Sequence, residues 1–93
     1  MEVTVNGKKV TLRDRLPAKQ SWPLMGALQN MSNGKLEYDD AVMLLKTAIE
    51  SWEFAGDPTD AASYETLDLF SEMMPLANEV GQGMLAKLSQ AKN

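Results

Sequence analysis

YDDAVMLLKTAIESWEFAGDPTD, residues 38–60, carries a clean helical period. Tyr38, Ala41, Val42, Leu45, Ala48, Ile49 and Trp52 recur at spacings of three and four, while Asp39, Lys46, Glu50 and Glu53 fall opposite. At 3.6 residues per turn those spacings gather the apolar residues on one side, so a helix over 38–54 is expected. Asp39 and Asp40 stand in its first turn, where the helix dipole favours negative charge. Gly56-Asp57-Pro58 stops it, since proline lacks an N–H and fixes φ. Met43 and Phe54 land on the polar side, either as isolated surface residues or as partner contacts. Residues 55–67 then read as a turn with a short helical segment, for which Ser63 is a candidate cap. Asp57 and Asp60 read as turn and cap residues rather than cation ligands, because no twelve-residue calcium loop follows them.

Downstream, Asp68 opens a second and longer helix, 68–91. Leu69, Phe70, Met73, Met74, Leu76, Ala77, Val80, Met84, Leu85 and Leu88 cover close to half its circumference, more than one packing neighbour requires. Pro75 lies past the first turn, which calls for a kink or a later start. Gly81 and Gly83 loosen the next turn. A broad, methionine-rich face of this kind suits a surface that accepts a partner helix, or one that closes the core.

Upstream, EVTVNGKKVTLR alternates Val3, Val5, Val10 and Leu12 with polar residues around Asn6-Gly7. Asn-Gly takes positive φ at both positions, as a type I′ turn needs, so 2–13 is a β-hairpin. A lone hairpin is marginal in water and must lie on the helices or join a neighbour's sheet. After a connector held extended at Leu16 by Pro17, Ser21 reads as the N-cap of a helix over 21–31. Asn33-Gly34 ends that helix in a left-handed turn. The expected fold is mainly α (α+β), a single small domain with an N-terminal hairpin packed on three to four helices.

The 93 residues contain neither cysteine nor histidine. That removes thiol nucleophiles, disulfides, thiolate zinc sites and the usual proton shuttle near neutral pH. No signal peptide or membrane-length apolar run is visible, so the expectation is a soluble protein of the cytoplasm. Residues 1–36 carry Lys8, Lys9, Arg13, Arg15, Lys19 and Lys35 against Glu2 and Asp14, whereas 37–72 carry ten acids against Lys46 alone. Basic residues so few and scattered argue against nucleic acid as a partner. The asymmetry fits solubility or self-association between a basic head and an acidic middle. Carboxylate pairs such as Asp39/Asp40 and Glu50/Glu53 read as a solvated helix surface, and no nucleophile–base pair can be assembled. No catalytic residue, cofactor or metal is expected.

The order of these motifs resembles the tail assembly chaperones of long-tailed, siphovirus-type bacteriophages. The resemblance rests on the hairpin beginning V-x-V-N-G-K, Leu16-Pro17-Ala18-Lys19 with Trp22 behind it, and Glu50-Ser51-Trp52-Glu53-Phe54 followed by Gly56-Asp57-Pro58. Ser63-Tyr64-Glu65, Leu67-Asp68-Leu69 and Glu72-Met73-Met74-Pro75-Leu76 extend it over most of the chain. It implies a non-enzymatic protein of the host cytoplasm that coats the tape measure protein, keeps it soluble and promotes tail tube polymerisation. Many members of that family are also made in a longer frameshifted form whose extra domain contacts the tail tube protein, and Lys92-Asn93 allows a slippery A-rich codon pair. The resemblance supplies no binding-site signature. From the apolar faces, the candidate partner residues are Met73, Met74, Met84 and Leu85, with Met43 and Phe54 behind them. The competing readings are a structural tail or head-tail connector component of the virion and a small regulatory binding protein.

Overall fold

The computed structural model describes residues 1–35 and 37–91. Its element order is β1 (Glu2–Val5), β2 (Lys8–Leu12), α1 (Ala18–Ser21), α2 (Pro23–Ser32), α3 (Tyr38–Ala48), β3 (Ile49–Trp52) and α4 (Met74–Ala91). A 3₁₀ turn, Ala61–Tyr64, and a π turn, Leu69–Met73, lie between β3 and α4. The three strands form one antiparallel sheet in the order β1-β2-β3. Val5, Val10, Leu12 and Ile49 point from it into a single apolar core shared with α2, α3 and α4. The architecture is α+β, with the N-terminal hairpin where the alternation places it. Asn6 and Gly7 take φ of 53° and 76° at its tip.

The expected helix over 38–54 is corrected. It stops at Ala48, and Ile49 turns extended (φ −86°, ψ 125°) to begin β3. The cause is long-range: Arg13 donates its backbone N–H to the Ala48 carbonyl at 2.8 Å, and the outer edge of β2 takes 49–52 as its partner. Val10 stands opposite Trp52, Thr11 opposite Ser51 and Leu12 opposite Ile49, so Glu50 is the extra residue of a bulge. That bulge lets two residues three apart, Ile49 and Trp52, both face inward, which imitates helical spacing. Phe54, two residues past Trp52, also turns inward. It is therefore core and not a polar-face residue.

Two other boundaries shift. Ser21 is not a cap. It ends α1, and the helical residue Trp22 joins α1 to α2 with Pro23 in first position, where a missing N–H costs nothing. The expected helix 68–91 is two pieces. Asp68 does cap its start, accepting from Ser71 N–H and Ser71 Oγ, each at 2.8 Å, while Glu72 Oε1 accepts Asp68 N–H at 2.8 Å. The first turn is wide, with Met73 N–H donating to Asp68 O, and α4 proper begins at Met74. Pro75 thus sits in a first turn, where no i−4 bond is required of it. Gly81 and Gly83 do not loosen α4: Met31 of α2 occupies the place of a Cβ at 81, and Met1 and Leu12 crowd that at 83. They let α4 approach α2 and the sheet closely. Leu88, expected on the apolar face, and Lys92 and Asn93 lie outside the described side chains.

The loop after β3 is held by aromatic residues. Trp52 Nε1 donates to Gly56 O at 2.8 Å, and the Trp52 ring lies 5.0 Å from Tyr64 and 5.4 Å from Phe54 between centroids. Lys8 Nζ sits 4.9 Å above the Phe54 ring, close enough for a cation–π attraction. Tyr64 donates its hydroxyl to Pro58 O at 2.6 Å. Asp57 accepts from Thr59 N–H at 2.9 Å and Thr59 Oγ1 at 2.8 Å, as a turn residue does. The short helical segment is capped by Asp60, not Ser63, through Ala62 N–H at 3.1 Å.

Burial raises the Tyr64 phenol pKa well above its ordinary value near 10. Above that pH the unfolded chain loses the phenolic proton first, so the unfolded state binds fewer protons and stability falls as pH rises. Urea midpoints should therefore hold steady up to about pH 10 and drop beyond it. In Tyr64→Phe that share of the drop should be absent.

Candidate functional site

The end of α2, the start of α3, the π turn and the first turn of α4 meet around an open apolar groove of about 430 Å³. Met31, Tyr38, Ala41, Leu69, Met73 and Met74 supply most of its wall, with Glu37 and Asn78 at the rim. The groove exists because the π turn lifts Leu69 away from the core while Asp68 and Glu72 pin the turn's start. Those two hydrogen bonds from Ser71 hold the Asp68 carboxyl below the usual carboxylate range. The segment therefore presents fixed negative charge beside apolar side chains. Phe70 on the same turn is 76% exposed and Met74 55%, and Leu69 and Tyr38 are also exposed. Exposed large side chains clustered along one turn differ from the isolated ones that any surface carries, and clusters of this kind mark interaction sites.

The six candidate partner residues separate. Met73 and Met74 line the groove together, Met73 as its buried floor and Met74 as its exposed lip. Met84, at 1% exposure, and Phe54 are core side chains, Met84 at the floor of a separate apolar concavity beside α2. Leu85 and Met43 are half-buried against the core. Burial in the monomer thus leaves Met84 and Phe54 little surface for a partner in this groove. Leu69, Phe70 and Tyr38, which the periodicity places on apolar helix faces without singling them out as partner residues, take their place. The signal for two of them was present in Asp68-Leu69-Phe70-Ser71-Glu72. In a capped first turn at the end of an element fewer neighbours cover the side chains, so of two adjacent bulky residues about 100° apart one is readily left outside.

Among the described residues no three acidic side chains converge as metal ligands, and no charged side chain is buried. Asp40 accepts from Asn30 Nδ2 at 3.2 Å, tying α3 to α2. Among the described residues no helix is long and apolar enough to cross a membrane.

No family model, curated protein or solved structure matches the chain. The site must be read from its own chemistry. The groove is open, and its wall is made of thioether, aliphatic and Tyr38 side chains. Methionine side chains adapt to an apolar face, being unbranched and polarisable. Of the residues that carry the resemblance, Leu69, Met73 and Met74 line the groove, while Trp52, Gly56, Pro58 and Tyr64 fasten the loop behind β3.

Proposed function

We infer that this protein is a non-enzymatic tail assembly chaperone, which binds apolar stripes of the helical tape measure protein and keeps it soluble in the host cytoplasm. One observation carries the reading: the open, methionine-lined groove with Leu69, Phe70 and Met74 exposed beside it. An amphipathic helix laid in a groove uses apolar anchors at helical spacing. The acids around the groove would leave a negative outer surface, which keeps a coated client dispersed. The resemblance noted above supplies the identity of the client. A longer frameshifted form reaching the tail tube protein belongs to the same proposal.

Co-expression with the tape measure protein of the same genome tests it. The client should become soluble and co-purify with several copies of this chain, and the chain should be missing from finished particles. Met74→Asp combined with Phe70→Ser should abolish recovery of the client while shifting the melting temperature by no more than about 3 °C, since both side chains are exposed. Full recovery of client by that double variant would remove the groove from the mechanism. Failure of the unmodified chain to rescue a well-expressed client would overturn the chaperone reading, and persistence in purified particles would favour a structural virion component.

A further inference from the structure

The geometry points to a second binding surface, at the N-terminal end of α2 rather than the Met31 end that lines the groove above, that takes an acidic peptide segment in which carboxylates adjoin bulky apolar side chains. It is made of two concavities with a shared wall. One, of about 360 Å³, is lined by Arg13, Arg15 and Lys46 with the hydroxyls of Ser21 and Thr47. The other, of about 330 Å³, is apolar, lined by Ala18, Trp22, Leu24, Met25 and Leu28. Leu16 and Ser21 line both.

The cations are far apart in sequence and are brought together by the backbone. The bond from Arg13 N–H to Ala48 O fixes the start of the connector beside the last turn of α3, which carries Lys46 and Thr47. Lys87 of α4 grips the connector from the other side, donating its ammonium to Arg13 O at 2.9 Å and Asp14 O at 2.8 Å. The ridge between the two concavities is therefore held in place before any ligand arrives. Among the described residues, Arg13, Arg15 and Lys46 form no ion pair with a carboxylate. Asp14, on the rim of the apolar half, is engaged by the Met1 ammonium at 3.0 Å. Three like charges facing one cleft repel, and an anion placed among them relieves that repulsion. The planar fork of arginine matches the two oxygens of a carboxylate.

The apolar half selects among anions. Trp22 is 72% exposed and Met25 is exposed beside it. A small anion would leave both uncovered, whereas a peptide with leucine or phenylalanine next to its acids fills both halves at once. A nucleic acid strand fits less well, because three cations in one cleft are too few to track a phosphate backbone and Leu24 and Leu28 make the pocket beside Trp22 concave and aliphatic. This surface is independent of the client reading and is tested without the client.

The probe is a short, end-blocked, fluorescein-labelled peptide rich in glutamate, leucine and phenylalanine, with a glutamine-for-glutamate counterpart. Fluorescence anisotropy should show saturable binding of the acidic peptide. In ¹⁵N-labelled protein the Trp22 indole and the Arg13, Arg15 and Thr47 amides should shift, while the Trp52 indole stays in place. Arg15→Glu with Lys46→Glu should weaken binding at least ~10-fold, as should raising salt from about 50 to about 300 mM. Circular dichroism shows whether that variant remains folded, and Arg15→Gln alone, at an exposed position, gives a milder change with the same sign. Equal binding of the glutamine peptide, shifts confined to another face, or tighter binding of an oligothymidylate or of inorganic phosphate than of the peptide would each overturn the assignment.

Discussion

Replacing Met84 with aspartate is expected to abolish the cooperative unfolding of the chain. Met84 is 1% exposed and lies in the core cluster with Leu24, Leu28, Leu76 and Val80. A carboxylate placed there would be buried, and Lys87, one turn on, is already engaged with the Arg13 and Asp14 carbonyls. A buried charge left unpaired costs more than about 4 kcal/mol. A domain of this size holds only ~5–15 kcal/mol in total. Circular dichroism should show no thermal transition for Met84→Asp. Met84→Ala, which removes packing without adding charge, should lose ~2–5 kcal/mol and still melt cooperatively. A folded Met84→Asp that merely bound its partner less well would return Met84 to the surface, where the broad apolar face of 68–91 first placed it. The contrast with the exposed Met74 is what makes the pair of substitutions informative. Two methionines on the same helix should differ in effect by several kcal/mol.

The second large effect is expected at Tyr64, which is 2% exposed. Its ring packs on Trp52 and its hydroxyl meets the carbonyl of Pro58, itself buried. Tyr64→Ala should cost ~3–5 kcal/mol by urea denaturation, the range for losing a large aromatic from a packed site. Tyr64→Phe should cost ~1–3 kcal/mol, because it keeps the ring and strands the Pro58 oxygen without its donor. Trp52 fluorescence follows the loss directly. If Tyr64→Ala cost under ~1 kcal/mol, the loop behind β3 would be held by something other than this aromatic contact.

The parts of the fold legible in the sequence are those specified by near neighbours. Asn6-Gly7 encodes its own turn, and the hairpin follows from alternation on either side. Asp68 announces the start of the last helical segment through Ser71 and Glu72, which lie within one turn of it. β3 had no such local mark. Its partner is β2, some forty residues away in sequence, and the Glu50 bulge gives Ile49 and Trp52 a spacing that a helix also produces. Leu44 shows the same limit in reverse: it falls off the apolar stripe of α3 by periodicity, yet is fully buried because α3 is covered on more than one side. The candidate site was half visible. Met73 and Met74 stand out as methionines on a wide face, but whether a given apolar residue is core or lip depends on which neighbour covers it. Leu69 and Phe70 were exposed by a π turn that no periodicity foretells. The cluster of Arg13, Arg15 and Lys46 was invisible for the reason β3 was: the hydrogen bond from Arg13 to Ala48 that assembles it is a long-range contact.

The bulge at Glu50 also bears on crowding. Sheet margins are where chains zip together backbone to backbone, and a protein made in many copies around one client would be exposed to that hazard. Here one margin is a four-residue strand bearing Glu2, and the other is broken in its middle by an extra acidic residue. Neither offers the flat, regular ladder that a neighbouring strand requires. Under the proposed function, such margins would keep copies gathered on one client from pairing strand to strand. Whatever order they adopt must be written by side chains on the helices.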